Sequence, residues 1–449
     1  MPKIEIPFQG RLVNSKFAKN VAKMFAGNVA AQSIIFISAP IITRLFDPDE
    51  FGIMILLEAS IMIGAVIANL RYERAIMLPK DDEDAEHLLS LCIILNVGMS
   101  LISLLVVAIA GDKIAELLGV PSLGKWLWFV PAGVFLFGIR EPLTYWFGRK
   151  REFGIVAWAQ FFNSSCSVLI KIIAGIIYGS SAAWLIIGNL SGLLFSTIPL
   201  TFRYIRGRWW ILLRNLSKER IISVGKKYKK FPIFSSWTAL VNAIAEDIPV
   251  FMLSYYYSVT VVGYFALANK ILRKPITIIS QSITKVLLEK IARLNANNEP
   301  IDRIFKKATL GLGAIGIIPI AIIFLFGPQI FSFCFGENWN AAGDYARILA
   351  PWLFLAFMVA PANQVITVRQ KLKFNLMFHI GIAVARMLAL IIGSTISNNP
   401  EVPLAFLSAV STLLFIFYIL FAYHLVSQKM PKKAVESSDI EFLAVLNNK

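Results

Sequence analysis

The chain has 449 residues, of which 57% are hydrophobic and 16% charged, a balance that excludes an ordinary soluble domain and is typical of a polytopic membrane protein. Its net charge of +17 would suit a nucleic-acid binder. The basic residues lie in short loops between apolar segments, however, where insertion topology explains them, so we expect no nucleic-acid partner. The three cysteines are far apart and lack the spacing of a metal site or a disulfide framework.

Twelve apolar runs follow one another along the chain, each close to the length of about 20 residues that crosses a hydrocarbon core. They cover residues 20–43, 52–70, 88–110, 126–147, 153–178 and 183–202 in the first half, and 232–256, 262–284, 308–327, 346–366, 374–396 and 403–426 in the second. This pattern predicts an all-α integral membrane protein with about 12 transmembrane helices in two six-helix bundles.

Residues 203–231 interrupt the apolar sequence with ten Lys or Arg and divide the chain into two similar halves. We predict an N-terminal bundle (1–202), a basic cytoplasmic linker (203–231), a C-terminal bundle (232–426) and a cytoplasmic tail (427–449). The linker is either a solvated charge run or a segment with specific contacts. In both cases membrane lipids are expected partners, because clustered basic residues are attracted to anionic headgroups.

The loops on the linker's side of the membrane are basic, whereas the six loops on the other side contain three basic residues in all, Arg44, Lys113 and Lys125. Basic loops stay in the cytoplasm, so both termini are expected there. The other loops are short and leave no room for an extramembrane catalytic domain. The first 19 residues contain no apolar core, and we expect no cleavable signal peptide.

The halves resemble each other: Phe51-Gly52 at the start of the second span matches Val262-Gly263 at the start of the eighth. Spans four and ten each contain two prolines, Pro131 and Pro142, and Pro351 and Pro361. An even number of spans in each half predicts parallel repeats. Interrupted helices at corresponding positions of two repeats indicate a central site, although a proline kink is also tolerated by packing alone.

No catalytic motif is present, and we expect no catalytic residues, no metal site and no cofactor, with H⁺ or Na⁺ as a coupling ion. Ionisable residues inside the spans stand out instead, because each costs about 2.5 to 3.5 kcal/mol at mid-membrane. The candidate substrate-binding cations are Arg140, Lys171, Lys270, Arg273, Lys274 and Arg386. The candidate ion-pairing or coupling acids are Glu58, Glu246 and Asp247.

Lys270, Arg273 and Lys274 share one helix face, where three like charges repel unless an anion or a carboxylate compensates them. Asp247 and Lys270 lie at similar depth on either side of a hairpin tip, so they are expected to pair. The remaining cations, with Lys171 and Arg386, are expected to line a central cavity for an anionic substrate. The alternative is that they snorkel or pair structurally.

Two stretches carry a family resemblance, FGIMILLEASIMIGAVIANLRYERAIMLPKDDEDAEHLLSLCIIL (51–95) and YKKFPIFSSWTALVNAIAEDIPVFMLSYYYSVTVVGYFALANKIL (228–272). The chain resembles the polysaccharide transport, or O-antigen flippase, branch of the multidrug/oligosaccharidyl-lipid/polysaccharide (MOP) exporter superfamily. The resemblance implies a bacterial or archaeal inner-membrane protein that moves an undecaprenyl-pyrophosphate-linked oligosaccharide to the outer leaflet by alternating access. It also implies that the cationic cavity binds the pyrophosphate.

Two other functions stay open. A cation-coupled multidrug exporter of the same superfamily would be expected to present acids in its cavity. A membrane polysaccharide polymerase or glycosyltransferase generally needs a large outer loop or an acid/base pair, and the sequence shows neither. Under the flippase hypothesis, a polymerase and glycosyltransferases of the same locus are expected partners.

The topology predicts that a cysteine introduced at Lys227, in a background without other cysteines, is protected from an impermeant thiol reagent in intact cells and reacts after permeabilisation. A cysteine at Lys125 serves as the control and should react in intact cells. Labelling of the Lys227→Cys protein in intact cells would contradict the predicted orientation.

Overall fold

The computed structural model describes residues 16–206, 217–297 and 299–427, and every regular element within these ranges is helical. In chain order the α-helices are α1 (Lys16–Leu45), α2 (Pro48–Ala68), α3 (Tyr72–Ala75), α4 (Asp82–Leu117), α5 (Gly124–Leu127), α6 (Val130–Arg149), α7 (Phe153–Tyr178), α8 (Ala182–Ile205), α9 (Lys218–Lys227), α10 (Ser236–Tyr256), α11 (Val259–Ala296), α12 (Asp302–Phe335), α13 (Asn340–Met358), α14 (Ala360–Val368), α15 (Leu372–Ile396) and α16 (Glu401–Ser427). A helix or a pair of helices lies at each of the twelve predicted spans. The prediction of an all-α polytopic membrane protein is confirmed.

Nine helical stretches of the described chain are long and apolar enough to cross a membrane, or ten when the pair formed by residues 121–127 and α6, bent by 45°, counts as one span. The predicted spans 232–256 and 262–284 form helices α10 and α11 but fall outside this set. These helices carry Glu246, Asp247 and the three cations that begin at Lys270, and the charges lower their apolar character. The total of twelve crossings therefore stays a prediction.

The prolines of spans four and ten break their helices at different places. Span four is interrupted just before Pro131, whereas span ten is interrupted at Val359, just before Pro361. Pro142 and Pro351 lie inside helices α6 and α13. Proline is well accommodated in the first turn of a helix, where no intrahelical partner is needed for its nitrogen. The proline pairs therefore do not kink the two spans in the same way.

The described chain packs as two compact units. The first contains the described parts of Met1–Ile271, Ile323–Leu349 and Ala383–Leu407, and the second those of Leu272–Ile322, Ala350–Ile382 and Ser408–Lys449. In the second unit the buried Tyr418 side chain lies in an apolar cluster, and its hydroxyl bonds to Asn363 (2.6 Å) and Asn375 (2.7 Å). The predicted bundles 1–202 and 232–426 follow the sequence repeat rather than these packing units and stay a prediction.

Part of the predicted linker is a docked helix. Residues 207–216 lie outside the described ranges, but α9 packs on the acidic start of α4. Arg220 pairs with Glu83, and the Lys227 Nζ lies 3.2 Å from a carboxylate oxygen of Asp84. This hydrogen bond raises the pKa of Lys227 above its ordinary value. Val224 is buried in the apolar core of the first unit, so α9 is more than a solvated charge run.

We call the end of the first unit that carries α3, the turn 149–152 and α9 the basic end. At the opposite end, α2 and α11 cross at very short range. A Cβ atom on Gly52 would lie 2.0 Å from the carbonyl oxygen of Val259, and one on Gly263 would lie 2.0 Å from that of Pro48. Gly52 faces Val259, four residues before Gly263, and Gly263 faces Pro48, four residues before Gly52. The two helices are thus related by an approximate twofold axis at this crossing. Real Cβ atoms essentially never come within 3.0 Å of another atom, so this crossing needs glycine on both helices.

Hydrogen bonds reinforce the same end. The Trp339 indole donates to the carbonyl oxygen of Thr43 (2.8 Å), and Arg44 donates to that of Phe333 (2.7 Å). Both bonds join residues of the first sequence half to residues of the second, and Trp339 is fully buried. The first unit is therefore closed at the end opposite the basic end.

We expect Gly52→Ala or Gly263→Ala to open this end, because a Cβ atom at either position forces α2 and α11 apart. Overpacking of this kind costs about 1 to 3 kcal/mol, so labelling of a cysteine at Ser258 by a thiol reagent should rise at least about fivefold. Gly98→Ala is the control, because nothing lies within 4 Å of a Cβ atom there. Equal labelling in all three variants would show that the crossing does not hold this end closed.

Candidate functional site

The nine ionisable residues singled out in the sequence fall into separate groups in the structure. Glu58 and Lys171 meet through Asn189 within the first unit, and Lys270 acts electrostatically on Lys171. Arg140 lies in another group. Arg273, Lys274, Arg386, Glu246 and Asp247 each interact with other groups. The Asp247–Lys270 pair stays a prediction.

A side-chain amide bridges the carboxylate and the ammonium. The Asn189 Nδ2 on α8 donates to Glu58 on α2, and its Oδ1 accepts a hydrogen bond from the Lys171 Nζ on α7. The same oxygen accepts a second hydrogen bond from the Ser167 hydroxyl at 3.1 Å. The amide N–H thus faces the Glu58 carboxylate, which only accepts, and the amide oxygen faces the Lys171 ammonium, which only donates. We call Glu58, Ser167, Lys171 and Asn189 the amide network.

Two glycines bring α8 close enough to α7 for this bridge. A Cβ atom on Gly188 would lie 2.6 Å from the Lys171 Cγ, and one on Gly192 would lie 2.5 Å from the carbonyl oxygen of Asn163. Both distances are too short for any side chain larger than hydrogen. Small residues of this kind let membrane helices approach each other and exchange hydrogen bonds. The sequence GNLSG therefore places Asn189 directly against α7.

The amide network and Lys270 together carry an excess of positive charge. With both lysines protonated and Glu58 ionised, two ammonium groups face one carboxylate. The Lys270 side chain is exposed. Since a charge within a membrane-spanning bundle requires a counter-charge or water, an anion beside Lys270 and Lys171 would be stabilised.

Arg140 belongs to a group nearer the basic end. Its guanidinium donates to Gln160 at 2.5 Å and interacts with the neighbouring Glu141, which also feels the charges of Arg71 and Arg74. The Glu141 carboxylate offsets part of the positive charge of the three arginines. Arg140 therefore has local partners and does not join Lys171 and Lys270.

Glu73 in α3 is a buried acid that the sequence reasoning did not single out. Burial raises its pKa above the ordinary value, although Arg71 lies only 3.4 Å away. Its Oε2 has no hydrogen-bond partner among the described residues. Arg71 has a left-handed backbone with φ of 62°, which folds the LRYE turn back on itself. The turn was part of the family resemblance, but nothing in the sequence indicates that an acidic residue in a loop is buried.

The chain matches the family described as "Polysaccharide biosynthesis protein" over residues 41–344. This match covers more than half of the chain, which therefore belongs to this family. Among its curated relatives is an uncharacterized membrane protein in the cps region of Klebsiella pneumoniae. The two are 19% identical over 391 residues, which is 86% of this chain and 78% of the relative.

Solved membrane transporters share the fold. The lipid II flippase MurJ in an inward closed conformation has a TM-score of 0.65 at 14% identity, over 96% of this chain and 93% of the flippase. An inward-facing multidrug resistance MATE family transporter of the MOP superfamily has a TM-score of 0.63 at 15% identity, over 92% and 98%. The resemblance to the MOP superfamily inferred from residues 51–95 and 228–272 is confirmed, and the fold is that of its transporters.

We expect Asn189→Asp to destabilise the protein and Glu58→Gln to reverse the effect. The aspartate loses the donor to Glu58 and places two carboxylates together, which should lower the free energy of unfolding by about 1 to 3 kcal/mol. In the double variant the new amide at position 58 can donate to the new carboxylate at position 189, and that carboxylate can pair with Lys171. Thermal unfolding of the purified protein in detergent measures both changes.

Asn163→Asp is the matched control, because it adds a carboxylate to α7 beside Gly192 and Glu58→Gln should not rescue it. A double variant of Glu58 and Asn189 that is no more stable than Asn189→Asp alone would show that the amide bridge makes no net contribution.

Proposed function

We propose that this protein is a flippase that moves undecaprenyl-pyrophosphate-linked oligosaccharide units from the inner to the outer leaflet for a surface polysaccharide. The observation that carries the proposal is the excess positive charge of Lys171 and Lys270 beside the amide network, on helices that lie at predicted spans. A pyrophosphate is an anion that such a group can stabilise. Membership of the polysaccharide biosynthesis family and a fold shared with a lipid II flippase support the same conclusion.

The proposed mechanism is alternating access. With the end opposite the basic end closed, the lipid-linked unit enters from the basic side, and its pyrophosphate is neutralised by Lys171 and Lys270, with Arg273, Lys274 and Arg386 as further candidates. Opposite charges in this environment interact strongly, and each charge-assisted hydrogen bond is worth about 1.5 to 3 kcal/mol. The amide network holds Lys171 in place while the site is empty. Separation of α2 from α11 would then open the way to the outer leaflet.

The proposed setting is a bacterial or archaeal inner membrane with both termini in the cytoplasm. Glycosyltransferases would supply the lipid-linked unit on the cytoplasmic side, and a polymerase would consume it on the outer side. An H⁺ or Na⁺ gradient is the proposed driving force, with Glu58, Glu246 and Asp247 as candidate coupling acids.

We expect Lys171→Ala, Arg273→Ala and Arg386→Ala to reduce translocation at least about tenfold at wild-type abundance, because each removes a charge-assisted contact to phosphate. Arg386→Lys should also impair transport, since lysine cannot bind two phosphate oxygens in the forked geometry of arginine. The measurement is translocation of a fluorescent undecaprenyl-diphosphate oligosaccharide in proteoliposomes. Lys125→Gln, an exposed cation in an outer loop, is the control.

Wild-type rates in all three alanine variants would reject the cationic-cavity mechanism. Export of organic cations by the same proteoliposomes, without movement of the lipid-linked unit, would favour the multidrug exporter, which shares the fold. Growth of sugar chains by the purified protein would favour the polymerase or glycosyltransferase.

A further inference from the structure

A pocket of about 210 Å³ opens at the basic end of the first unit, away from the amide network. It lies between the last turns of α6 and α8 and the turn that precedes α7. Its lining residues are Trp146, Phe147, Lys150, Glu152, Arg203, Tyr204 and Arg206. Neither the family match nor the cationic residues inside the spans accounts for it.

Positive charge predominates around the pocket, where three cations face one carboxylate. Arg203 pairs with Glu152 at 3.1 Å, with both side chains about half exposed. Lys150 pairs with Asp82 outside the lining. Even when Asp82 is included, one cation remains in excess. Cations at the ends of α6 and α8 are favoured by the helix dipole alone, so charge is only part of the argument.

Two buried aromatic rings form the floor of the pocket. Trp146 and Tyr204 are 2% and 5% exposed and pack edge to face with ring centroids 5.6 Å apart. The Lys150 ammonium lies over the Trp146 ring at 5.1 Å, which fixes one cation at the rim by a cation–π contact. Both rings belong to the apolar core that contains α3, α4 and α9 residues. The pocket therefore has a floor of buried aromatic rings and a cationic rim.

Its size limits the ligand. The cavity volume is about 210 Å³. This is enough for a phosphate or diphosphate and less than the roughly 300 Å³ at which pockets for drug-sized ligands begin. A sugar chain would have to lie outside. A pocket at the ends of two predicted spans suits a headgroup whose tail stays in the bilayer.

We propose that this pocket binds the phosphate group of a lipid in the leaflet at the basic end. Arginine binds phosphate oxygens through two parallel N–H donors. Arg206 supplies such donors beside Lys150, and Arg203 retains its Nη1 donors while its Nε and Nη2 face Glu152. The ligand is either a leaflet phospholipid or the phosphate of a polyprenyl carrier, which share this chemistry. The proposal does not rest on the flippase function, and its test measures binding without transport.

The test is native mass spectrometry of the full chain, purified in a phosphate-free maltoside detergent, with phosphatidylglycerol, undecaprenyl phosphate or inorganic diphosphate added. We expect Arg203→Gln combined with Arg206→Gln to weaken lipid phosphate binding at least about tenfold. Lys226→Gln combined with Lys229→Gln is the matched control. It removes two charges from exposed positions at the same end, outside the pocket, and should change binding less than about twofold.

Pocket-dependent binding of both lipids would identify a leaflet phospholipid site, and pocket-dependent binding of undecaprenyl phosphate alone would identify a carrier site. Either result supports the proposal. Equal losses in the two double variants, unchanged binding in the pocket variant, or binding of inorganic diphosphate without either lipid would overturn it.

If the double arginine variant fails to fold, Lys150→Gln replaces it, with Lys125→Gln as its control. Each of these ammonium groups lies over a tryptophan ring, at 5.1 and 4.9 Å, but only Lys150 lines the pocket. Loss of lipid phosphate binding in the Lys150 variant alone supports the site, and equal binding in both rejects it.

Discussion

The first unit depends on one amide that separates a carboxylate from an ammonium. Ionised groups inside a membrane bundle are costly unless each finds a partner of the right polarity. Asn189 offers its donor to Glu58 and its acceptor to Lys171, so neither charge needs to contact the other directly. A direct ion pair would neutralise Lys171 more completely. The intervening amide accepts a hydrogen bond from the Lys171 ammonium. The charge of Lys171 is left able to act on Lys270 and on an anion.

Close backbone contacts serve two different purposes in this fold. Between α7 and α8 the glycines beside Asn189 position a polar side chain, and the contact is part of a continuous hairpin. Between α2 and α11 the two glycines face main-chain carbonyl oxygens of the other helix. A contact between backbones has no interlocking side chains to disengage. Such an interface can separate and re-form more readily than one built from interdigitated side chains.

The helices could be predicted from sequence, but their lengths and the polar contacts could not. A helix or a pair of helices lies at every apolar run, whereas α4 and α11 continue to 36 and 38 residues because their charged ends remain helical. Glu58, Lys171 and Lys270 could be singled out because placing a charged side chain inside the membrane costs free energy. It gave no weight to Asn189, because an uncharged polar residue in a span is common. The Asp247–Lys270 pair rests on depth alone and stays a prediction.

The docking of α9 shortens the chain that is free to move between the predicted bundles. Composition indicates a loop from 203 to 231, but Val224 and two ion pairs fix α9 to the first unit. Only residues 228–235 then separate α9 from α10, and five of these, Phe231–Ser235, form a π-helical turn. Such turns are rare. The start of α10 is therefore tied to the first unit by a segment of eight residues, most of it helical, so it cannot travel far from α9.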